Sequence, residues 1–97
     1  MKMISKEKRN EIIKVLKDQI ESVRFYKVNY FMCNEEEAKD RKLIKLKVEL
    51  AKLQGEIGIT YAFLNENEDL EFKEIIKETN TISVQVVKLS ITRRQAK

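Results

Sequence analysis

The feature that most constrains this chain is a leucine seam in its middle. Apolar residues recur at Leu43, Leu46, Leu50, Leu53 and Ile57, and Thr60 and Leu64 continue the same spacing. Steps of three and four in strict alternation are the mark of an amphipathic helix with a heptad stripe. Lys45, Lys47, Glu49, Lys52 and Glu56 fall between those positions and suit a solvated face. Such a helix needs a partner along its whole length, from the same chain or from another.

The residues on either side favour more of the same. Proline is absent and glycine occurs twice in 97 residues, so helix breakers are scarce. Upstream, Ser5 is a good N-cap. Ile13, Leu16, Ile20, Val23 and Tyr30 form a second stripe, with Lys27 in one seam slot. Ile12, Val15, Tyr26 and Phe31 widen it, which suits a bundle core better than a two-stranded seam. This helix is expected to end near Cys33. Asn34 followed by Glu37 has the spacing of a capping box, so a tight turn and a new helix start are expected at Asn34. A short connection makes the two helices antiparallel neighbours.

Gly55 and Gly58 fall late in the leucine helix, and each costs about 1 kcal/mol against alanine. They mark either a close helix approach or an early stop. Ile57 and Leu64 stay on the seam, so the helix is expected to continue past both. The run from Asn65 to Asp69 is the clearest punctuation in the chain, and Asn65 and Glu68 repeat the capping-box spacing.

The last third supports two readings. Phe72, Ile75, Thr79, Ile82, Val86 and Leu89 continue a helical stripe. Thr79, Thr81, Ile82, Val84, Val86, Val87, Ile91 and Thr92 are β-branched and favour strand. The helical spacing persists longer than the strand alternation, which fails at Lys88. The expected fold is therefore all-α, an antiparallel helical hairpin or a three-helix bundle in one domain over residues 1–97. The alternative is an α+β fold with a β-hairpin over residues 70–91. A break at residues 79–81 is also compatible with the sequence.

Catalytic parts are missing from the sequence. Without histidine the chain lacks the commonest general base and the commonest zinc ligand. One cysteine builds neither a disulfide nor a cysteine zinc site, and the two isolated glycines make no phosphate loop. Cys33 reads as a small filler at a helix end rather than a reactive thiol. The expectation is a non-enzymatic protein with no cofactor, no metal and no small-molecule substrate. The single cysteine, and the lack of an apolar run of about 18 residues, favour the cytoplasm and no membrane span. Heavy use of Lys and Ile points to an AT-rich genome, as in a low-GC bacterium, phage or plasmid.

Two function classes remain. Three apolar stripes exceed what one hairpin consumes, so the seam at Leu43, Leu46, Leu50, Leu53 and Ile57 is expected to join a homodimer or a protein partner in a small regulatory or adaptor role. The alternative is a DNA-binding accessory protein. The net charge of +4 is unevenly spread, with −4 over residues 65–78 and +4 over residues 79–97. Arg41 and Lys45, together with Lys88, Arg93, Arg94 and Lys97, are the candidate phosphate contacts. The acidic stretch 66–78 invites comparison with a nucleic-acid mimic.

Overall fold

A computed structural model describes residues 4–96. Three helices account for nearly all of them: α1 (Lys6–Met32), α2 (Glu36–Thr60) and α3 (Leu70–Ala96). The described residues contain no strand. The chain is an all-α three-helix bundle, 50 × 19 × 17 Å along its principal axes.

The helix directions follow from cross-helix pairs. Gln19 donates to Glu49 and Lys39 sits over the ring of Tyr30, so α1 and α2 are antiparallel. Arg9 meets Asp69 and Arg24 meets Glu78, so α3 runs parallel to α1. Gln54 reaches Ser83, and Arg93 reaches Asp40, which sets α3 antiparallel to α2.

The three sequence stripes meet in one core. Every leucine-seam residue from Leu43 to Leu64 is buried, as are Ile13, Leu16, Ile20, Val23 and Tyr30 of α1. Phe72, Ile75, Thr79, Ile82 and Val86 close the third side, and Leu89 packs against the core half-buried. Ile12 and Tyr26 also pack against it, whereas Val15 and Phe31 lie about half exposed and do not widen the stripe.

The helix ends differ in detail from the capping boxes. Ser5 caps α1 as expected, accepting from the Lys8 amide at 3.1 Å. The turn after Cys33 forms, but α2 starts at Glu36, two residues beyond Asn34. Its N-cap is Glu35, whose side chain makes no capping bond. Acids in the first turn, Glu36 and Glu37, complement the helix dipole in place of the box. Before α3, Asn65 folds back on the amide of Asn67 in a local turn instead of capping a helix. The cap is Asp69, which accepts from the Phe72 amide at 3.2 Å.

The β-hairpin over residues 70–91 does not form, and residues 79–81 do not break the helix. Burial on the helical stripe outweighs β-branching, and the hydroxyls find partners within the helix. Thr79, Thr81, Ser90 and Thr92 each donate to the carbonyl four residues earlier. The buried Thr79 and Ser90 thereby leave no polar atom unpaired. α2 likewise runs through both glycines to Thr60, whose hydroxyl donates to the Glu56 carbonyl.

Candidate binding face on α2 and α3

Three arginines tie the helices together and neutralise part of the charge pattern. Arg9 holds Asp69 with two hydrogen bonds, of 2.8 and 2.7 Å, and meets Glu71 at 2.9 Å. Lys17 adds a second contact to Glu71. Arg24 bridges Glu78 of α3 and Glu21 of its own helix. Arg93 holds Asp40 and Glu36 at the start of α2. The hydrogen bond from Arg9 holds the Asp69 carboxyl below its ordinary range, and Arg24 does the same for Glu78. Of the six acids in 66–78, Asp69, Glu71 and Glu78 are engaged in joining helices, which leaves Glu66, Glu68 and Glu74 as the remaining anionic side chains of that stretch.

The same pairs correct one member of the basic set. Arg93 is mostly buried and doubly engaged, so its role is to join α3 to α2 and not to contact phosphate. Lys97 lies outside the described residues. Arg41, Lys45, Lys88 and Arg94 are exposed, and none of them has an acid within salt-bridge distance among the described residues.

The leucine seam is corrected too. Leu43, Leu46, Leu50, Leu53 and Ile57 are at most 7% exposed and contribute to the chain's own core. In this fold they pack within the chain, and of the five Leu50 lines a groove between α2 and α3. The third helix takes the apolar surface that the sequence left over for a partner.

What stays open is the outer side of α2 and α3. At about 100° per residue, Arg41, Ile44, Lys45, Val48 and Lys52 lie on the half of α2 opposite its seam. Ile44 is 60% exposed and Val48 48%. On α3, Val84, Val87 and Ile91 are 55, 56 and 48% exposed, beside Lys88 and Arg94. Between the helices runs a groove of about 350 Å³ with Leu50 and Val86 in its lining. Lys47 and Gln54 flank it from α2, and Ser83, Val87, Ile91 and Arg94 from α3.

This face carries almost no negative charge. No acid follows Glu78 in the sequence. On α2 after Asp40 the acids are Glu49 and Glu56, and both turn towards α1. Glu49 accepts from Gln19, and Glu56 lines a cleft with Ile12 and Leu16. Glu36 and Asp40 are held by Arg93. Exposed cations and exposed aliphatic residues thus alternate on one side of the bundle, and Glu37, one turn before Arg41, is the exposed acid that shares the Ile44–Val48 stripe. Sequence reasoning found the cations but missed Ile44, Val48, Val84, Val87 and Ile91. The signal was present, since each falls off the stripe of its own helix.

Two other surface features stand apart from this face. A larger groove of about 660 Å³ lies between α1 and α3. Lys17, Glu21, Arg24, Glu71 and Glu78 line it, and they satisfy one another. At the end of α1, Phe25, Val28 and Met32 form an exposed apolar strip, with no charge pattern to select what meets it. Cys33 is half-buried at the end of α1, its thiol 3.5 Å from the Glu35 carbonyl. Among the described residues no three of Cys, Asp and Glu gather as metal ligands, and no helix is long and apolar enough to cross a membrane.

Comparison with known protein families, with curated proteins and with solved structures finds no match for this chain.

Proposed function

We propose that this chain is a binding module without chemistry of its own, and that it meets a protein partner through the outer face of α2 and α3. One observation carries the reading: on this face five half-exposed aliphatic residues interleave with the exposed cations Arg41, Lys45, Lys88 and Arg94, which outnumber the exposed acid Glu37 at its edge. Contiguous apolar surface rimmed by charge is what protein-binding faces present, while the core stays within the chain.

A second reading is nucleic-acid binding. Exposed Arg41, Lys45, Lys88 and Arg94, free of ion pairs, favour it. Phosphates ask for cations and gain little from the valines and isoleucines between them, so the protein partner accounts for more of the face.

A photo-activated cross-linking residue placed at Val87, and separately at Asp18 on α1, tests the reading in the cells that make the protein. The expected result is a protease-sensitive adduct from Val87 and none from Asp18. A nuclease-sensitive adduct from Val87 selects the second reading. Adducts from Asp18 alone place the binding face elsewhere.

A further inference from the structure

The outer face of α2 and α3 has a shape and a charge that narrow its occupant. On α3 the exposed aliphatics Val84, Val87 and Ile91 repeat at steps of three and four. On α2, Ile44 and Val48 are four apart, and the same stripe continues through Ala51 and Gly55. A Cβ added at Gly55 or Gly58 would touch nothing within 4 Å, so no part of this chain uses the space there. A groove runs parallel to the helix axes between α2 and α3, with Lys47, Leu50 and Gln54 on one wall and Val86, Val87 and Ile91 on the other, while Ile44 and Val48 lie further round α2 on its outer shoulder. An object that fits is long, narrow and apolar on one side, as an amphipathic helix is.

Charge decides between occupants. A second copy docking the same face would bring Arg41, Lys45, Lys47, Lys88 and Arg94 against the partner's matching cations, because a two-fold contact pairs like surface with like. Glu37 at the start of the α2 stripe is one carboxylate against these five cations and does not offset that repulsion. A helix with acids on its flanks would instead place them beside Lys47 and Arg94, which stand on opposite walls of the groove.

We infer that the α2–α3 groove takes an acidic amphipathic helix of a partner protein, which lies along it as a fourth helix. This rests on the α2–α3 face being the binding surface. Ile44, Val48, Val87 and Ile91 meet the apolar stripe of the incoming helix. Lys47 and Arg94 receive its flanking carboxylates, with Lys45 and Lys88 further out.

The test uses a labelled helical peptide of about 21 residues, or six turns, with leucine on the heptad seam and glutamate beside it. The same residues in scrambled order and a random DNA duplex serve as the other two probes. The full-length protein should bind the ordered peptide at least about tenfold more tightly than the scrambled one, a difference of about 1.4 kcal/mol. The decisive variant is Val87→Lys with Ile91→Lys, which removes apolar surface while adding positive charge. It should weaken the ordered peptide by about tenfold or more, whereas a purely electrostatic site would bind every anion more tightly. Lys47→Ala with Arg94→Ala changes exposed residues only, so it stays readable if the lysine variant proves unstable. It should weaken the ordered peptide and flatten the salt dependence of its binding. Equal binding of ordered and scrambled peptides overturns the inference. So does preference for DNA, an unweakened Val87→Lys/Ile91→Lys variant that is shown to be folded, or no binding of the ordered peptide. If cross-linking from Val87 still yields an adduct in those cases, the face stands and only its occupant is wrong.

Discussion

Arg93 on α3 holds Asp40 on α2, its Nε donating to Oδ1 at 3.0 Å across 53 residues of sequence. The same guanidinium donates to the Glu36 carbonyl at 3.1 Å and pairs with the Glu36 carboxylate. Its neighbour Arg94 points into the open groove and pairs with nothing among the described residues. Two adjacent arginines therefore do different work, one joining helices and one facing outward.

That division is open to a direct test. Arg93→Ala should lower Tm clearly, since it removes the hydrogen bonds by which α3 holds Asp40 and the Glu36 carbonyl in the first turns of α2. Arg94→Ala should leave Tm nearly unchanged, because exposed unpaired charges contribute little to stability. Thermal melts of the two single variants, compared at the same pH and salt, settle the order. Equal melting temperatures would contradict the assignment of Arg93 to the fold.

The core prediction concerns the leucine seam. Leu46 and Leu53 are fully enclosed, and Leu50 lines the α2–α3 groove at 5% exposure. Truncating any of them to alanine should cost about 2–5 kcal/mol, with Leu46 and Leu53 at the upper end because neighbouring groups cannot easily refill the space. Urea denaturation of Leu50→Ala and Leu53→Ala measures both. A Leu53→Ala variant as stable as the wild type would mean that the seam is not the core.

Acid should loosen the bundle through its Arg–carboxylate pairs. The hydrogen bond from Arg9 depresses the Asp69 carboxyl below its ordinary value of 3.8. Arg24 depresses Glu78 below 4.5. A depressed carboxyl stabilises the fold fully above its unfolded value, and that contribution is lost as pH falls through the folded value. Stability should therefore hold level from neutral pH down to about 5 and decline below about 4. Asp69→Asn removes the Arg9 pair at every pH. It should lower Tm at pH 7 and make the acid decline shallower, as read from melts across a pH series.

Much of this architecture was legible from periodicity alone. The buried stripes of all three helices coincide with the apolar spacing of the sequence, because one core buries one stripe per helix. The caps were less legible. Asn34 and Asn65 carry the right pattern, yet the chain caps α3 with Asp69, which Arg9 also holds from another helix. A cap chosen by a tertiary ion pair leaves no local signature. Charge was legible only as a tally along the chain. Arg9 and Arg24 pair with Asp69, Glu71 and Glu78, and Arg93 with Glu36 and Asp40, all across helices, so only the fold reveals which charges are engaged. The assignment of the leucine seam to a partner failed for a related reason. Periodicity says that a stripe is covered, not which chain covers it.

The glycines supply the last prediction. Gly55 and Gly58 sit inside α2 with no positive φ, so their backbone conformation is one that alanine adopts readily. A Cβ at either position meets no atom within 4 Å. Alanine also restricts the unfolded chain more than glycine does, and it is the better helix former. Gly55→Ala and Gly58→Ala should each stabilise the protein by about 0.5–1 kcal/mol, additively within error because the two side chains do not touch. Within the isolated chain nothing opposes that gain, so retaining glycine needs a reason outside it. Gly55 lies on the stripe that continues from Ile44 and Val48, where a docked helix would approach the α2 backbone. Gly55→Leu should therefore keep the fold, since the space is open to solvent, while weakening the ordered acidic peptide by obstructing its path. Chemical denaturation and peptide titration on the same preparations measure the two effects together. Loss of stability in Gly55→Ala would show that the position is packed after all. Undiminished peptide binding by a folded Gly55→Leu would place the docked helix away from this stretch of α2.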